Sequence, residues 1–231
     1  MSVQMRSGGT LPVRLPEPPV VPNRPPWLVI TVVSIAAAVA VSALLLPRGS
    51  ELPGIVRDPA PTVLGLIFDD VWEREQAVPV DLVPDPGGVT AAYFGYLSCP
   101  DMCPLTMGDL RRARQLLGDE LADRTTVAFV TLDPARDGPE ELQRYLGLFF
   151  DRGVLALTAP DETSLEAAVE RLGVRYELQE PDPDDGRYEV AHSAITYVID
   201  DRGVVVRELP FGTTPEEYAT VLRSVLDDRR G

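Results

Sequence analysis

From about residue 63 onward, short and wholly apolar runs alternate with runs whose apolar residues recur every three to four positions. "VTAAYFGYL", "TTVAFVTL" and "VLALTA" read as buried strands. Between and after them lie helical patterns. Leu110, Ala113, Leu117 and Leu121 share one face of the first, and "GPEELQRYLGLFF" opens the second with Pro139, Glu140 and Glu141. "DETSLEAAVERLG" is a third, with Thr163 and Glu166 spaced as a capping box and Gly173 as its stop. "HSAITYVID", "DRG" and "VVVREL" predict a hairpin. "TTPEEYATVLRSVL" closes as a helix with Thr214 as cap, Pro215 first and Glu217 completing a box. The predicted order is β-α-β-α-β-α-β-β-α. Strands alternating with helices demand a central sheet covered on both faces, and a final hairpin makes that sheet mixed.

This α/β order fits a thioredoxin-like mixed sheet flanked by helices, and it also fits other α/β folds. It accounts for residues 63–231. Residues 47–62, with Pro47, Pro53, Pro59 and Pro61, read as a linker, and residues 1–26, rich in Pro, Gly and Arg, as a disordered cytoplasmic tail. Between them, "LVITVVSIAAAVAVSALLL" from Leu28 to Leu46 carries no charge. As a helix it spans roughly 28 Å, near the ~30 Å of a bilayer core. With Trp27 at its edge, residues 27–46 are predicted to be a transmembrane anchor. A cleaved signal peptide ending at Ala43 competes with this reading, but the apolar run continues past Ala43. Arg6, Arg14 and Arg24 precede the run, so the N-terminus is expected in the cytoplasm and the domain outside a bacterial-type cell membrane.

The chain carries a net charge of −15, and Arg supplies all of its cationic side chains. The first fifty residues hold four arginines against Glu17 alone, so the acidity belongs to the domain. Such a domain repels nucleic acid, which is bound through clustered Lys and Arg.

Cys99 and Cys103 are the only cysteines. They follow a predicted central strand and precede a helix, where open α/β sheets bind ligands. If both sit in the first helical turn, their i, i+4 spacing puts the sulfurs on one face, and the helix N-terminus favours thiolate. A structural disulfide here would close a loop of a few residues and stabilise little. A thiol–disulfide oxidoreductase is a second reading, although the usual redox pair has two intervening residues and this one has three. A metal site is a third, and it needs another ligand. His192, the only histidine, begins an apolar strand; if that strand neighbours the one ending at Cys99, its imidazole can face both sulfurs. Two thiolates and one imidazole suit Cu(I), and with an added oxygen they can hold Cu(II). Zinc accepts the same set with water, but copper binds such ligands more tightly. Met102 is expected to pack rather than ligate, and the acidic stretch "EPDPDDGR" reads as a solvated loop.

"FGYLSCPDMCP", "VTLDPARDGPEELQRYL" and "HSAITYVIDDRG", in this order behind a single apolar run, resemble the Sco/SenC family of membrane-anchored copper proteins. The resemblance covers roughly residues 51–231. It implies a thioredoxin-like fold, copper bound by Cys99, Cys103 and His192, and Asp133 as a residue beside the site that supports it. It also implies a copper metallochaperone acting on the copper centre of cytochrome c oxidase. The expected partners are the oxidase subunit carrying that centre and another copper chaperone, and thiol reductase activity through Cys99 and Cys103 is the alternative. Leu97 and Ser98 stand where the family often has Thr-His, and residues 62–80 match its opening hairpin poorly.

Overall fold

The computed structural model describes residues 52–228. The predicted tail, the transmembrane anchor and the start of the linker lie outside the described residues. Nine strands and five helices follow in the described chain: β1 (Phe68–Asp70), β2 (Val78–Val80), β3 (Val89–Gly95), α1 (Met102–Leu117), α2 (Asp119–Ala122), β4 (Thr125–Thr131), α3 (Pro139–Leu146), β5 (Val154–Thr158), α4 (Glu162–Leu172), β6 (Tyr176–Leu178), β7 (Val190–His192), β8 (Ile195–Asp200), β9 (Val205–Pro210) and α5 (Pro215–Asp227).

The main sheet has the order β2-β1-β5-β4-β3-β8-β9. β3, β4 and β5 are mutually parallel, whereas β8 runs antiparallel to β3 and β9 antiparallel to β8. Every residue of β3 and nearly every residue of β4 is buried, because both faces of the central strands are covered. This explains their continuous apolar runs. α1 and α5 pack against each other, burying Met107, Leu110 and Ala113 on one helix and Tyr218, Val221 and Leu222 on the other. The mixed α/β sheet predicted from the alternation is therefore present.

Several local readings are corrected. The first helix was expected to include Leu121, but Gly118 stops α1 with φ +78 and Leu121 falls in the separate α2. The capping box at Thr163 and Glu166 does not form; Asp161 caps α4, its carboxylate accepting from the Ser164 N–H at 2.7 Å. An acid two residues earlier satisfies the first-turn amides and complements their dipole. The box at Thr214 and Glu217 forms as expected. The hairpin β1–β2 and the ribbon β6–β7 escaped the sequence reading, since strands of three residues carry too few positions to show alternation. Part of the predicted linker lies on the sheet: Ile55 pairs with Glu208 and Thr62 with Val204. This covers an otherwise open edge of β9. Among the described residues no helix is long and apolar enough to cross a membrane.

The cap assignment is testable by substitution and pH. Asp161 is held below its ordinary value of 3.8 by hydrogen bonds from Ser164. A carboxyl whose folded value is depressed stabilises above its unfolded value and stops doing so as pH falls through the folded one. At neutral pH, Asp161→Ala is expected to lower the thermal midpoint while Thr163→Ala leaves it unchanged. The gap should close below about pH 3.8. Equal midpoints for the two variants at pH 7 would restore the Thr163 cap.

Candidate metal centre

β3 ends at Gly95, and the chain then turns through Tyr96, Leu97 and Ser98 to Cys99. Cys99 lies in this loop, before the helix. The expectation that both cysteines share the first helical turn is corrected, because Pro100 pushes the residue before it out of helical geometry. Cys103 is in the first turn of α1. The two remain coupled: the Cys103 backbone N–H donates to Cys99 Sγ at 3.4 Å, so the sulfur takes up one of the first-turn amides. Both cysteines are free thiols, and Cys103 is fully buried.

His192 arrives on the separate two-stranded sheet of β6 and β7. The expectation that it begins the apolar strand is corrected: it ends β7, and three residues later the chain enters β8, the antiparallel neighbour of β3. Its Nε2 stands 3.6 Å from Cys103 Sγ. Its Nδ1 is 3.3 Å from the Ser193 carbonyl, which holds the ring so that Nε2 faces the sulfurs. The ring stands edge-on to Tyr93 and Tyr96, with centroids 6.0 and 5.7 Å away. The donor atoms of Cys99, Cys103 and His192 all lie within 4.8 Å of one another. Two sulfurs and an imidazole nitrogen converging this closely fit a soft metal ion, and copper above the other first-row metals.

The electrostatics divide the cysteines. Cys99 is held well below the ordinary thiol value, first by its hydrogen bond with Cys103, with His192 and two backbone amides assisting against burial. Cys103 is pushed up, first by that same bond with Cys99 and then by burial. Of the two, Cys99 carries the charge and Cys103 keeps its proton. The Tyr93 hydroxyl donates toward Cys103 Sγ at 3.7 Å.

Asp133 is buried and is not one of the three converging donors. One carboxylate oxygen accepts from the Tyr188 hydroxyl at 3.0 Å, and the other pairs with Arg136. Asp137, at the other end of the same turn, accepts from the Leu97 N–H at 3.0 Å and from Thr131 Oγ1 at 2.6 Å. Burial pushes the Asp137 carboxyl upward. The sequence reading missed Asp137, Tyr93, Tyr96 and Gly95. Met102 is partly buried against the core, as expected. Gly95 had a signal, since a glycine inside an apolar strand marks a close approach. A Cβ there would lie 2.9 Å from Cys103 Sγ and 2.9 Å from the Tyr93 ring.

A thioredoxin-like α/β domain with Cys99, Cys103 and His192 at one end of its sheet defines a soft-metal or thiol-chemistry protein. The SCO1/SenC family profile matches residues 80–227, more than half of the chain. The chain belongs to the SCO1/SenC family. It is 32% identical over 138 residues to an SCO2-like protein of Rickettsia conorii, covering 60% of this chain and 66% of that protein. The chain thus spans just under two thirds of that relative's length. Among solved structures, ScoI of Bradyrhizobium japonicum with copper bound is 27% identical, with a TM-score of 0.59 over 69% of this chain and 96% of that one. Apo Sco1 of Thermus thermophilus is 30% identical, with a TM-score of 0.57 over 78% and 97%.

Gly95→Ala should destabilise the domain by about 1–3 kcal/mol, the usual cost of overpacking. It should also displace Cys103 and weaken metal loading. Denaturant unfolding with a parallel metal titration checks both, and wild-type behaviour in the two would remove Gly95 from the site.

Proposed function

We propose that this chain is a membrane-anchored copper metallochaperone that binds one copper ion through Cys99, Cys103 and His192. The observation that carries the reading is the convergence of the three donor atoms within 4.8 Å. Copper is the cargo. The Cys99 thiolate is ready to receive it, and Cys103 gives up its proton as the ion arrives. His192 supplies the third donor through Nε2, which faces the sulfurs. Membership of the SCO1/SenC family supports the copper centre of cytochrome c oxidase as the destination, with its copper-bearing subunit as recipient and another copper chaperone as donor. On the same reading residues 27–46 anchor the chain, with the N-terminus cytoplasmic and the domain on the outer side.

A thiol–disulfide reductase is the second reading, and the low thiol value of Cys99 favours it. Anaerobic titration of the reduced protein separates the two. A metallochaperone takes up one Cu(I) tightly, whereas a dedicated reductase binds it weakly and reduces disulfides fast.

His192→Ala is expected to keep Cu(I), which two thiolates satisfy, and to lose a stable Cu(II) form, which gains from imidazole. Thiolate-to-copper absorption should vanish or decay within mixing. The half-buried site of His192 predicts native circular dichroism. Cu(II) held as stably as in the wild type would remove His192 from the ligand set.

Protease added to intact spheroplasts tests the placement. It should digest the domain and spare the N-terminal tail, and full protection of the domain would overturn the outward orientation.

A further inference from the structure

His192 sits on a weakly supported element. β6 and β7 form a two-stranded sheet of their own, pairing Tyr176 with His192 and Leu178 with Val190. A two-stranded ribbon is marginal by itself in water. After His192 the chain is secured quickly, because Ile195 enters the main sheet. Before His192 the support is different. A cleft lined by Ser98 and Pro100 on one side and by Gln179, Glu180 and Glu189 on the other separates the cysteine loop from the ribbon. One turn, Asp133 to Asp137, reaches both arms.

We propose that Arg136 and Tyr188 form a latch that positions His192 against the cysteines. Arg136 engages Tyr188 twice: its guanidinium lies 3.5 Å over the ring centroid, and its Nη1 donates to the Tyr188 carbonyl at 2.8 Å. Asp133 completes the latch by pairing with Arg136 and accepting from the Tyr188 hydroxyl. Tyr188 lies four residues before His192, so its grip sets the path of the strand that carries the imidazole. At the other end of the turn, Asp137 holds the Leu97 N–H two residues before Cys99. The loop bearing one sulfur and the ribbon bearing the nitrogen are thus both tied to the turn from Asp133 to Asp137. Neither Arg136 nor Tyr188 is a ligand in this arrangement. A planar fork that stacks and bonds at once is specific to arginine, so lysine cannot replace it.

The latch is testable without metal, since the chain holds one histidine and its ring signals are unambiguous. The untagged full chain, labelled with ¹³C-histidine in detergent, should show His192 ring signals displaced by the edge-on Tyr93 and Tyr96. Tyr188→Leu and Arg136→Lys should move those signals toward free histidine or broaden them, and Tyr188→Phe should do so partially. Asp161→Ala, which weakens the fold away from the latch, should leave them in place. In the copper arm, which rests on the proposed function, Tyr188→Leu should shift the Cu(II) absorption and weaken Cu(II) affinity by about tenfold or more, the usual effect of losing support behind a ligand, with Cu(I) affinity kept. Unmoved ring signals in Tyr188→Leu and Arg136→Lys would overturn the latch, as would the same displacement in Asp161→Ala. If Tyr188→Leu fails to fold, Tyr188→Phe and Arg136→Lys decide by the same signals. A wild type that binds no copper would sink the proposed function and leave the ring signals to judge the latch.

Discussion

The antiparallel pairing of β3 with β8 sets the geometry on which the centre depends. Tyr93 lies opposite Thr196, and the two strands run in contrary directions from there. Moving forward along β3 leads out through Gly95 to the cysteine loop. Moving backward along β8 leads out through Ile195 to His192. Both exits therefore open at the same end of the sheet, although 89 residues separate Cys103 from His192 in the chain. A slip of one residue would turn every side chain of β8 to the opposite face, and because both faces are buried it would exchange the places of Val198 and the bulkier Tyr197 and Ile199, so close packing on the two faces fixes the register. The centre inherits its precision from that hydrophobic constraint.

Within that frame the charge is arranged to be tolerable. Two buried thiolates side by side would repel each other in a low-dielectric setting, and the pair avoids this by sharing one proton. Cys99 takes the charge because it gathers the Cys103 amide and lies nearer the surface; Cys103 keeps its proton beside Tyr93. The buried carboxyl of Asp137 is also treated as a bound group, accepting from a backbone amide and a hydroxyl. It spends its hydrogen bonds on fixing the loop before Cys99.

The sequence made the central sheet readable because β3 and β4 are buried on both faces and so present unbroken apolar runs. Cys99, Cys103 and His192 were readable as rare, chemically soft residues at the ends of such runs. Asp133 was picked out through the family resemblance, but its partners were not. No periodicity links Asp133 to Tyr188, since their bond spans 55 residues and depends on how two loops meet. The ribbon β6–β7 was hidden for a related reason. Its six residues include charged Glu177 and exposed Leu178, so no apolar face announces it. The helix caps failed at Thr163 because two capping residues stood close together, and only the path of the chain chose between them.

The burial gradient across the centre bears on how cargo would move through it. Cys103 is closed off beneath, while His192 is half-exposed and Cys99 retains a small opening of 7%. On the proposed function, an incoming ligand would approach from the side of Cys99 and His192, the two less buried donors. On the proposed function, exchange would begin with the imidazole, the neutral and most accessible donor, and end with the buried Cys103. The tightness with which the ribbon holds His192 then sets how readily the first step occurs. On that function, an imidazole carried on a two-stranded ribbon outside the main sheet suits release better than one buried within it.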